Sequence, residues 1–152
     1  MLFMTKLETL EEKAINLNIR VDNCNFSETK KGACFRMGDY KAILLNHSKI
    51  KSASEKAVIL AHELGHYETG SLFLIEATAN TPVAHSNRRK YEAKATKWAI
   101  EELLPTDKLE EIINKRYDEH EIAEHFGVTL DFLHEAFEFY KTKGIVFGDG
   151  GE

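Results

Sequence analysis

Ser52-Ala-Ser-Glu-Lys-Ala-Val-Ile-Leu-Ala-His-Glu-Leu-Gly-His66 is the stretch on which the reading of this chain turns. It reads as one helix. Ser52 with Glu55 three residues on is a capping box, and His62 and His66, four apart, lie one turn from each other on the same face. Two imidazoles so placed can reach one ion. Glu63, beside the first of them, is positioned to take a proton from water held on that ion, which is the H-E-x-x-H arrangement of zinc hydrolases.

The spacing alone decides little. With 7 histidines in 152 residues, it arises by chance in roughly one such chain in twenty-five, and the ordinary alternative is two polar residues on a surface helix. The flanks argue otherwise. From Ala57 to Leu64 the helix is apolar nearly all round apart from His62 and Glu63, the pattern of a buried helix. Two imidazoles and a carboxylate buried without partners would cost on the order of several kcal/mol. A metal with its water supplies those partners.

At 152 residues the chain is one domain's worth, long enough for a core of its own. A net charge of −5 argues against a general binder of nucleic acid or anionic membrane. The apolar run Ala57 to Ala61 is far short of a membrane span, and Met1-Leu-Phe-Met-Thr-Lys6 lacks the long apolar region of a secretory signal. Cys24 and Cys34 have no metal-ligand spacing and read as reduced, half-buried thiols. The expectation is a cytoplasmic protein with no membrane partner.

Ahead of the motif, Thr5 and Glu8 form a capping box, and Leu7, Leu10, Ala14 and Leu17 follow at helical spacing. This predicts a first helix ending near Asn18 and packing over a sheet. Ile19-Arg-Val21 and Ala33 to Met37 read as short strands, Gly38-Asp39 as a two-residue turn, and Tyr40 to Asn46 as a further strand. A small, mostly antiparallel sheet is expected, with Tyr40 to Asn46 as its exposed edge. Gly70 is the stop signal of the motif helix.

Tyr67 to Lys90 reads equally as a lid or as a connector. A third helix runs from about Arg88 to Leu104 and is stopped by Pro105. Beyond it, Asp107 with Glu110 and Asp118 with Glu121 are further capping boxes, Thr129 caps a last helix ended by Lys143-Gly144, and Ala123-x-x-x-Gly127 is a turn of the helix-turn-helix kind. The organisation expected is a core over residues 1–105, a helical extension packed on it over 106–144, and a disordered tail over 145–152.

A catalytic zinc needs a third protein ligand. The metzincin pattern asks for Gly three and His six residues past the second histidine, and Thr69 and Leu72 stand there. Glu76, His85 and Glu92 remain. Glu92 is the best placed, on a predicted helix beside Ala95 and Ala99, whose small side chains let that helix approach its neighbour closely.

Two segments then carry a family resemblance. Ser54 to Tyr67, with its His62-Glu63-Leu64-Gly65-His66 core, and Tyr91-Glu92-Ala-Lys-Ala95-Thr-Lys-Trp98-Ala99, closed by Leu103-Leu104-Pro105, resemble the ImmA/IrrE family of bacterial and phage metallopeptidases. The family's second motif is a glutamate, alanine three on, an aromatic six on, alanine seven on, and a Leu-Pro or Met-Pro close; every position is matched. The resemblance extends from about residue 1 to 140. It implies an α+β fold with a compact gluzincin-like core: a small sheet, the motif helix, the glutamate helix, and helix-turn-helix-like helices after them. It further implies His62, His66 and Glu92 as metal ligands, Glu63 as general base, and a helix-turn-helix repressor of a phage or mobile element as the protein substrate. Zinc is the expected ion, though two histidines and a carboxylate also hold manganese or iron. Tyr67 and His85 are the candidates for stabilising the transition state.

Two other function classes fit parts of the chain. One is a DNA-binding regulator using the C-terminal helices. Its would-be recognition helix carries Asp131, Glu135 and Glu138 with Lys141 and Lys143 only at the end, so phosphates would mostly be repelled. The other is a metal-containing protein that sequesters a repressor without cutting it. Only a requirement for Glu63 separates that from a protease.

Overall fold

The computed structural model describes residues 3–72 and 82–148, with the side chains of the second stretch described from residue 86 onward. The element order is α1 (Lys6–Asn16), β1 (Arg20–Asn23), β2 (Gly32–Met37), β3 (Tyr40–Leu45), α2 (Ala53–Glu68), α3 (Pro82–Leu103), α4 (Thr106–Ile113), α5 (Glu119–Phe126) and α6 (Leu130–Thr142). It is an α+β fold, with six helices and a small three-stranded sheet among the described residues.

The helix starts follow from their caps. Thr5 and Glu8 close a full capping box on α1, as do Asp118 and Glu121 on α5, while Thr129 accepts from the Phe132 N–H at the start of α6. Ser52 accepts from the Glu55 N–H, but Glu55 turns its carboxylate to Lys31 and to the Lys51 N–H rather than completing the box. Two expectations fail here. Asp107 does not cap α4, whose N-cap is Pro105 with no side-chain bond. The glutamate helix begins at Pro82, about a turn and a half before Arg88, because proline is at home in the first helical position, where its missing N–H has no partner to lose.

The sheet order is β1-β3-β2. β2 and β3 form the expected hairpin, antiparallel with Met37 opposite Tyr40, and Gly38 turns it at φ +60. β1, however, runs parallel to β3, with Arg20 opposite Ala42. The sheet is therefore mixed rather than mostly antiparallel, and the Tyr40–Leu45 strand is its centre, not its edge. β3 is also covered on both faces. Ala42 and Ile43 are adjacent, point to opposite faces and are both fully buried, as a strand covered on both faces requires.

α2 is the axis of the molecule, packed against α1, α3, β2 and β3. α1 lies mainly on α2 and only marginally over the sheet, its Leu10 and Ala14 in the core. One continuous apolar cluster runs from Leu10, Ile43 and Leu45 through Leu60 and Leu64 to Ile100, Leu109, Phe132 and Tyr140. The last three helices thus share the core of the first part. Phe147, beyond α6, packs on Phe137 and Tyr140 with ring centroids 5.9 and 5.5 Å away. No helix among the described residues is long and apolar enough to cross a membrane.

Candidate metal centre

The site is made where α2 and α3 touch. Gly65 on α2 faces Ala95 on α3, both buried, and the absence of side-chain bulk lets the two backbones meet. Three residues before Ala95, and so on the same face of α3, stands Glu92. Its Oε2 lies 2.7 Å from His62 Nε2 and its Oε1 3.3 Å from His66 Nε2. One carboxylate thus meets both imidazoles of the motif, and donor atoms from His62, His66 and Glu92 all lie within 4.8 Å of one another.

The far sides of the rings are also held. His66 Nδ1 donates to the Ser71 carbonyl at 2.8 Å, and His62 Nδ1 has the Thr96 hydroxyl at 3.4 Å. Without an ion each Nε2–H donates to Glu92, and loss of that proton, with Nδ1–H of His66 still held by Ser71, would turn an Nε2 lone pair to a metal. An outer partner on Nδ1 is the usual support of a metal-ligating histidine. The donor set is of a kind that holds a divalent ion, two imidazole nitrogens and a carboxylate brought together from two helices.

Charge follows from the same contacts. Hydrogen bonds from His62 and then His66 hold the Glu92 carboxyl down to about 2, burial opposing them. Burial pulls the His66 imidazole down, and its bonds to Glu92 and Ser71 more than offset that, leaving its pKa raised. Glu63 is 8 % exposed. Burial raises its pKa, which the Cys34 thiol and the two imidazoles only partly counter.

Cys34 is the residue that spacing could not reveal. Its sulfur lies within 4.8 Å of donor atoms of Glu63 and His66, near enough for the thiol to counter the rise of the Glu63 pKa, and burial pushes the thiol up. Both cysteines are free and half-buried, as expected. The readable signal was strand parity. Gly32 and Cys34, two apart on β2, share a face, and a Cβ on Gly32 would lie 3.2 Å from Glu63 Oε1.

Of the remaining candidates, Tyr67 is committed to the sheet. Its hydroxyl accepts from the Ala42 N–H at 3.1 Å and reaches the carbonyls of Ala42, at 2.9 Å, and Phe35. Glu76 and the side chain of His85 lie outside the described residues.

Two histidines and a glutamate on α2, with a carboxylate from the next helix set against both imidazoles, make a group that could hold a metal ion. The chain belongs to the family described as Peptidase_M78, IrrE N-terminal-like domain, whose model matches residues 16–138. That span contains every residue of the centre. No curated protein and no solved structure matches the chain significantly.

Proposed function

We propose that this protein is a metal-dependent endopeptidase acting on a protein substrate, a helix-turn-helix repressor of a phage or mobile element. The observation that carries the peptidase reading is the Glu92 carboxylate set against both His62 and His66, with Glu63 beside them. The repressor reading rests on the ImmA/IrrE resemblance of the two motifs.

In this reading His62 Nε2, His66 Nε2 and the Glu92 carboxylate hold the ion, zinc or else manganese or iron. When bound, the ion supplies polarisation of the scissile carbonyl and a water of lowered pKa. Glu63 accepts the proton of the attacking water on its carboxylate and delivers it to the leaving amine. Burial suits it to both steps, since a carboxyl of raised pKa is a stronger base and a readier donor near neutrality. Ser71 and Thr96 keep the imidazoles turned. A substrate strand has β2 to pair with, because among the described residues β2 is hydrogen-bonded to β3 alone. The exposed acidic side chains of α6, Asp131, Glu135 and Glu138, disfavour a phosphate-binding role for that helix.

The test is co-expression with a candidate helix-turn-helix repressor, read by intact mass for wild type and Glu63→Gln. Cleavage by the wild type alone, lost with a chelator, is the expected result. A stable complex with no cut in either case would replace the protease with a sequestering protein.

A further inference from the structure

A cavity of about 300 Å³ opens beside the metal centre, with His62 and Glu63 forming one wall. Its other walls come from distant parts of the chain: Gly32 at the start of β2, Val58 and Ile59 one turn before the motif, and Phe132 and Glu135 on α6. Whatever occupies it adjoins the base that moves the proton. We propose that this cavity is the side-chain subsite for the substrate residue flanking the scissile bond, that it takes one large apolar side chain, leucine or bigger, and that α6 sets its specificity. The proposal rests on the peptidase reading above.

The size is at the small end for ligand cavities, suited to one side chain rather than to a length of peptide. Three of its walls, Val58, Ile59 and Phe132, are apolar. Gly32 keeps the edge strand against the motif helix, since a Cβ there would lie 2.5 Å from Ile59 Cγ2. Gly32, the first residue of β2, is itself on the lining, so the edge strand begins at the cavity. Charge at the rim points the same way. Lys31, also on the lining, is paired with Glu55 at 3.1 Å, while Glu63 and the exposed Glu135 put two carboxylates on the same lining, which disfavours an acidic side chain. The helix-turn-helix-like segment thus completes the active site instead of reading DNA.

The test uses binding, so that no substrate need be known. Three peptidic hydroxamates, alike except for a methyl, isobutyl or carboxymethyl side chain, are titrated calorimetrically into the metal-loaded protein. The isobutyl compound should bind at least about tenfold more tightly than the methyl compound, from the extra buried carbons, and the carboxymethyl compound should be the weakest. Val58→Phe, which narrows the cavity, should shrink the isobutyl advantage while the methyl compound still binds. Glu135→Lys, on the exposed rim, should bring the carboxymethyl compound up at least to the level of the methyl one. Equal binding of methyl and isobutyl compounds would overturn the subsite and leave the metal centre standing. No binding of any compound would overturn the metal centre, and the subsite with it. A carboxymethyl affinity unmoved by Glu135→Lys would remove α6 from specificity.

Discussion

Gly65 on α2 lies so close to Ala95 on α3 that a Cβ added to Gly65 would sit 2.6 Å from the Ala95 carbonyl oxygen and 3.0 Å from its Cα. Those are backbone atoms, with no side chain to rotate away. Gly65→Ala gains about 1 kcal/mol of helix propensity, but relieving the overlap by moving α3 costs about 1–3 kcal/mol. It also carries Glu92 away from the two imidazoles. The variant should be folded but less stable, and should hold its metal about tenfold more weakly. Thermal unfolding with and without metal, together with metal content after dialysis, checks both.

The Cys34 thiol and the Glu63 carboxylate form a second pair with a measurable consequence. Burial raises the Glu63 pKa and the nearby Cys34 thiol restrains that rise. Cys34→Ala removes the restraint, so Glu63 should stay protonated to higher pH. Because the base works only when deprotonated, the acid limb of the pH–rate profile should move to higher pH. Cys34→Ser, which keeps a donor, should leave the limb near its original place.

In the metal-free protein the centre is an ion-pair cluster whose stability depends on pH in a bounded window. Glu92, lowered to about 2, contributes stability above its ordinary value of 4.5, lost as pH falls toward 2. His66, raised above its ordinary 6.5, contributes below that value and loses its contribution as pH rises through the folded pKa. Stability from the cluster should therefore peak between roughly pH 5 and 6.5. Above that, the melting temperature in chelator should fall with pH, and Glu92→Gln should flatten the slope. With metal present the trend should reverse, because ligation needs neutral imidazoles.

Tyr140 ties the last helix to the glutamate helix. Its buried hydroxyl donates to the Leu104 carbonyl at 2.7 Å, just past the end of α3. Tyr140→Phe keeps the packing and removes the bond, and should cost about 1 kcal/mol. Urea unfolding followed by far-UV circular dichroism should show the loss in a single transition, because the core cluster of α4 to α6 is continuous with that of α2 and α3.

What the sequence determined by itself was local. The capping boxes at Thr5 and Asp118, the cap at Thr129, the Gly38 turn, and the one-face placement of His62 and His66 depend on residues within a few positions of one another. Backbone dihedrals and the 3.6-residue repeat settle such relations before any tertiary contact forms. The close approach of the Glu92 helix was legible for a related reason: Ala95 and Ala99 announce a close helix contact, although only the fold shows that Gly65 is what Ala95 meets.

The tertiary structure decided what depends on distant segments. β3 is central because β1 pairs with it in parallel, a contact that no pattern within Tyr40–Leu45 specifies. Cys34 reaches Glu63 because β2 packs on α2, and Phe132 and Glu135 reach the same centre because α6 folds back over it. Apolar burial is non-directional. A pattern of apolar residues says which faces turn inward, but only packing says which side chains then meet.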